Sequence, residues 1–197
     1  MSTPGRPKSE YRSAQHEGTP TSTPGRPKSE YRSAQHEGTP MSACLITTRA
    51  GFHQALRNAF DEMAAAGCRE AWISDEDFAD WPLNEPSVIE QLSHWARSHR
   101  KLTVIARHYD EVVRRHSRWV EWRRQWSHIV ECRAYDDAGQ VPALLLAAGL
   151  VAVRLVDSVH YRGSVSHEAA DLLGHRELLE AVSQRSVESF PASILGL

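Results

Sequence analysis

The chain has 197 residues, 41% hydrophobic and 24% charged, with a formal net charge of −2. That balance lacks the basic excess on which phosphate-driven nucleic-acid binding rests. Three cysteines, Cys44, Cys68 and Cys132, without C-x-x-C spacing, argue against a disulfide framework or a cysteine zinc site, and no stretch approaches the about 20 apolar residues of a membrane helix.

Residues 1–41 contain no Val, Ile, Leu, Phe or Trp. Such a segment cannot offset its ordering entropy by burying apolar surface, so a disordered tail is expected. Ser2–Pro20 recurs unchanged as Ser22–Pro40, a tandem 20-residue repeat rich in Pro, Gly and Ser. This reads as an inert flexible linker rather than a solenoid; the alternative is a docking peptide with Tyr11 and Tyr31 as its anchors. Met41-Ser42 echoes Met1-Ser2 and offers an alternative start. The tail has no apolar signal-peptide core, and the sparse cysteines fit a reducing cytoplasm. Residues 42–197 have the length of one domain and can bury ~70% of their unfolded surface.

From residue 51 the pattern alternates between helix and strand. Gly51–Ala66 places Phe52, Leu56, Ala59, Phe60 and Met63 at helical spacing, with Gly67 as a stop. Glu70–Phe78 reads as a strand entering an acidic loop, Asp75-Glu76-Asp77 with Asp80. Trp81–Pro86 is a breaker cluster. Ser87, with Glu90 three residues on, suggests a capping box for a helix burying Val88, Ile89, Leu92, Trp95 and Ala96. Lys101–Ala106 is a strand. Asp110–Trp126 reads as one long helix. His128–Tyr135, Pro142–Leu146 and Val151–Val156 are further strands, and a last helix is expected over Glu177–Phe190. The alternation predicts an α/β fold: a mixed sheet flanked by helices, partly parallel, with an antiparallel pair at one edge.

Val153–Ser166 reads VRLVDSVHYRGSVS. This segment resembles the core of a phospholipase D-like half-domain, in which a strand with His-x-Lys-x-x-x-x-Asp leads through a turn to a second strand ending in Gly-Ser-x-Asn. Asp157-Ser158 resembles the Asp-containing turn, Val159–Tyr161 the second strand, and Gly163-Ser164-Val165-Ser166 the terminal element, with Ser166 in place of Asn. The order of upstream elements agrees over Phe52 to Phe190. Small bacterial phospholipase D-like domains of unknown function are also similar. The family's His and Lys fall on Leu150 and Ala152. In the family the His attacks phosphorus and the Lys stabilises phosphate charge; aliphatic side chains can do neither. The resemblance therefore implies a degenerate, non-catalytic domain acting by binding near Asp157, Ser158 and Ser164, with a protein or a second copy of the chain as partner.

Two alternatives stay open. His160-x-Arg162-x-x-x-x-His167 has the family's spacing, and an imidazole with a guanidinium could run residual phosphodiesterase chemistry; strand alternation would place His160 and Arg162 on one face. The tail and the Arg/Trp-rich helix could bind nucleic acid, Arg on phosphate and Trp on bases. On the helical wheel, however, Trp119, Trp122 and Trp126 share the face of Val112 and belong to a core, while Arg114 and Arg118 face solvent. His116 lies on the apolar side as a core histidine, or as a ligand contact near Arg133 or Asp157. The acidic loop could hold a cation or a basic partner, or simply be solvated. No metal motif, cofactor motif or membrane segment is expected.

Overall fold

The computed structural model describes residues 44–97 and 99–192. The duplicated tail, the proposed start at Met41 and the boundary at residue 42 lie outside them. The described residues form a mixed α/β fold with an eight-stranded sheet flanked by helices. In chain order these are β1 (Cys44–Ile46), α1 (Arg49–Ala66), β2 (Glu70–Asp75), α2 (Pro86–Trp95), β3 (Lys101–Ala106), α3 (Asp110–Arg115), α4 (Ser117–Gln125), β4 (Val130–Tyr135), β5 (Ala143–Ala147), β6 (Val151–Asp157), β7 (Arg162–Ser166), α5 (Ala169–Gln184) and β8 (Ser186–Glu188).

The sheet order is β1-β7-β6-β5-β2-β3-β4-β8. β2, β3 and β4 are parallel, each joined to the next through helices, as a crossover requires. Every other pairing is antiparallel, so the antiparallel part is larger than the one edge pair expected. One face of the sheet packs Val104, Leu145 and Val153 against Phe52 and Leu56 of α1, Trp95 of α2 and Trp119 of α4. The other packs Trp72, Ile105, Leu144 and Leu146 under Leu172, Leu179 and Val182 of α5. Both faces of the central strands are covered, which is why they read as continuous apolar runs rather than alternating ones.

Local signals set several boundaries. The Thr48 hydroxyl accepts from the Gly51 amide at 3.0 Å to start α1, and Gly67 ends it in the left-handed region at φ 69°. The Ser87 capping box does not form: Glu85 is the cap residue and Pro86 the first helical position, where a missing N–H costs nothing. The expected helix 110–126 is two helices broken at His116 (φ −120°, ψ 48°), whose buried ring is tied to the Phe78 carbonyl across 38 residues. Val159–Tyr161 is a turn, not a strand; the second strand of the hairpin starts at Arg162. The last helix begins earlier and ends earlier than expected, at Ala169 and Gln184, because Ser186–Glu188 leave it to pair with Arg133–Tyr135. Among the described residues no helix is long and apolar enough to cross a membrane, and all three cysteines are free.

Burial pushes the His116 imidazole below its ordinary range, aided by the charge of Arg115 and opposed by the Phe78 bond, Asp77 and Glu111. A folded-state value below the unfolded one means full stability above about pH 6.5, lost as pH falls through the folded value. Unfolding stability should thus decrease between about pH 7 and pH 5.5, above the carboxylate range. His116→Gln, which keeps a donor near the position of Nε2, should flatten that decrease. Denaturant titrations of both proteins at the two pH values check this; parallel losses would remove His116 as the cause. His175, lowered mainly by burial and then by Arg154, acts in the same direction.

Candidate ligand-binding crevice

Three strand ends meet at one edge of the fold. Ser74 pairs with Leu144 and Ala143 with Leu155, so the carboxyl ends of β2 and β6 lie beside the start of β5. The acidic loop after β2 and the turn after β6 then face each other across a crevice of about 470 Å³. This is the size of a small-molecule site, and it lies at the carboxyl end of the parallel strands, where open α/β sheets hold ligands.

The acidic loop is built around Asp75. Its Oδ1 accepts from the amides of Asp77 (3.2 Å) and Phe78 (3.0 Å), and its Oδ2 from the Trp81 indole N–H (3.0 Å). Burial nevertheless raises its carboxyl above the ordinary range, with those three donors opposing. Glu76 accepts from the Arg107 guanidinium at 2.8 Å and the Val141 amide at 3.0 Å. Asp80 accepts from Arg49 and from the Tyr161 hydroxyl, both at 2.9 Å, which ties the loop to the β6–β7 turn. Phe78 (φ 60°) and Tyr161 (φ 50°) are both left-handed non-glycine residues, held in place by these contacts.

On the opposite wall, the Asp157 carboxylate caps its own turn. Oδ1 accepts from the amides of Val159 and His160 at 3.0 Å, and Oδ2 meets His160 Nδ1 at 2.8 Å. The amide and the imidazole of His160 hold the Asp157 carboxyl below the ordinary carboxylate range. This Asx turn explains why Val159–Tyr161 is not a strand. It also means that His160 and Arg162 do not share a strand face: His160 stands in the turn with its side chain 67% exposed, and Arg162 opens β7.

The candidate residues named from the sequence therefore separate. Asp157, Ser158 and His160 share the turn, Ser158 lines the crevice, and Ser164 lies directly across the hairpin from Arg154. His116 stands behind the acidic loop, with Nε2 2.8 Å from the Phe78 carbonyl oxygen; it touches neither Arg133 nor Asp157. Arg133 is on β4, four strands from β6 or about 19 Å at ordinary spacing. It binds Glu131 and the Ser183 and Ser186 carbonyls, and so anchors the end of α5. Leu150 and Ala152 are at the far end of β6 from Asp157, about 23 Å for Leu150 at strand rise. Ala152 is 1% exposed in the core under α5. Arg154 and Tyr161 were not singled out from the sequence. The signal for Arg154 is present there: one cation inside an otherwise apolar strand, VAVRLV.

No family model and no curated protein matches the sequence. Among solved structures the chain is similar to TrmBL2, an archaeal chromatin protein whose structure shows a novel mode of DNA binding. The TM-score is 0.56 at 10% identity, over 79% of this chain and 57% of the other. The chain thus spans little more than half of that protein, and the likeness is one of fold. Among the described residues no group of three or more His, Cys, Asp or Glu could hold a metal ion.

Proposed function

We propose that the chain is a non-catalytic, phospholipase D-like binding module of the cytoplasm, working through the crevice between the β2 loop and the β6–β7 turn, with a protein or a second copy of the chain as its macromolecular partner. What carries this reading is the hydrocarbon at Leu150 and Ala152, where the resembled family has its nucleophile and its phosphate-binding cation; Ala152 is sealed in the core. A buried methyl group offers neither a lone pair nor a charge to phosphorus.

One observation favours a second reading. Asp157 holds His160 by Nδ1 and leaves Nε2 toward solvent, the arrangement by which a carboxylate orients a catalytic imidazole. Hydrolysis of bis(p-nitrophenyl) phosphate by wild type and His160→Ala separates the two. The module reading expects both at the rate of buffer. Turnover by wild type that His160→Ala abolishes would transfer the protein to the phosphodiesterases. The DNA-binding description of TrmBL2 belongs to that protein. Its bearing on this chain is decided by a gel shift at two salt concentrations, because phosphate-driven binding must weaken as salt rises.

A further inference from the structure

Four carboxylates and one guanidinium line the crevice, and they differ in how far the protein itself engages them. The carboxylates of Asp75, Glu76 and Asp80 each use both oxygens within the protein, as described above, and Asp77 Oδ1 accepts from the Ala79 amide at 2.8 Å. The loop that reads from sequence as a cation site is therefore largely self-satisfied. Arg154 is the opposite case. It lines the crevice half-buried, on the wall formed by β6. Six other arginines among the described residues are buried or half-buried (Arg57, Arg100, Arg107, Arg123, Arg133 and Arg176), and every one donates a hydrogen bond to a protein group. Arg154 has no such acceptor among the described residues. Asp157, on the same strand, is engaged with His160, and one oxygen of Asp171 accepts from the Ser166 hydroxyl at 2.6 Å.

A guanidinium carries five N–H donors in a fixed fork and stays charged at any physiological pH. Drawing it partly out of water without an acceptor forfeits hydration that nothing in the protein returns. The carboxylates on the same lining are those of the acidic loop, whose partners are given above, and His175 of α5 feels the charge of Arg154. Ser164 faces it from β7, and the Ser158 hydroxyl lies on the same crevice.

We propose that the crevice takes a small anion whose carboxylate or phosphate group docks on the Arg154 fork, with Ser158 of the same lining as a further donor. This refines the binding-module reading and rests on it for the use of the crevice. The fork matches either group two oxygens at a time.

The test uses the full-length ¹⁵N-labelled chain, titrated at constant ionic strength with sodium phosphate and, separately, with sodium succinate. Saturable amide shifts confined to the β6–β7 hairpin and the β2 loop are expected with at least one of the two, and the stronger one identifies the group recognised. Arg154→Gln should weaken that binding by about tenfold or more, and Arg154→Lys by less, since the charge stays but the fork is lost. Arg124→Gln, on the exposed side of α4, should leave it unchanged; unaltered spectra elsewhere certify the fold. Shifts that never saturate with either anion, or saturable shifts that survive Arg154→Gln, overturn the proposal. Such a failure leaves the non-catalytic reading standing, because phosphodiester turnover decides that, and turnover would not move this titration.

Discussion

Gly163→Ala is expected to lose about 3 kcal/mol or more of unfolding stability, at the upper end of what overpacking costs. A Cβ at Gly163 would collide with the Arg154 carbonyl oxygen and lie 3.0 Å from the Leu155 Cα. Both are backbone atoms of the partner strand, so no side chain can swing aside. The pairing register shifts between Leu155 and Asp157 at this point, and the bulge brings the two backbones close. Gly174→Ala is the matching control. Gly174 is exposed in α5 with nothing within 4 Å of a new Cβ, so the same change should gain about 0.5–1 kcal/mol from helix propensity. Denaturant melts of the two variants should move in opposite directions. Equal shifts would mean that the hairpin is looser than described. The glycine that made this segment resemble a Gly-Ser motif therefore has a steric reason to be there, whatever the motif's chemistry.

The second large effect is expected at Arg123. Its guanidinium is buried, with Nε 2.9 Å from Cys132 Sγ, a terminal nitrogen bonded to the Phe190 carbonyl, and Cζ 4.7 Å from the Phe190 ring centroid. Phe190 in turn stacks on Tyr109 at 4.9 Å, and the Ser189 amide donates to the Cys132 carbonyl. Arg123 thereby pins the segment that follows β8. Arg123→Ala removes a charged donor and a cation–π contact and leaves a cavity, for a loss of about 2–4 kcal/mol. Hydrogen exchange gives the specific signature: amides of Ser186–Ser189 should lose protection while those of β2 and β3 keep theirs relative to global unfolding. Loss spread evenly over the sheet would show that Arg123 supports the core in general rather than this strap.

Several elements were legible because their causes are local. Apolar residues at helical spacing gave α1, with Gly67 as its stop. Short apolar runs gave β3, β5 and β6. The alternation of the two gave a mixed α/β sheet flanked by helices. What failed had distant causes. β1 and β8 are three-residue strands that exist only because β7 and β4 offer them an edge. The helix from Asp110 breaks at His116 because that ring finds its partner in a loop 38 residues away. The acidic loop was visible as a run of charge, but not that its carboxylates bind their own amides and Trp81.

For the candidate site the division is sharper. Sequence alone determined that Leu150 and Ala152 cannot perform nucleophilic or charge-stabilising chemistry, since that depends only on which atoms the side chains carry. It also placed a turn at Asp157-Ser158, but not its extent through Tyr161, which the bonds from the Val159 and His160 amides to Asp157 set. Only the tertiary structure decided that this turn faces the β2 loop, that His116 and Arg133 stand elsewhere, and that Arg154 is, among the described residues, the half-buried arginine without an acceptor. Those are statements about which groups meet across the sheet, and pairing between strands far apart in the chain is fixed by packing, not by any residue's own preference.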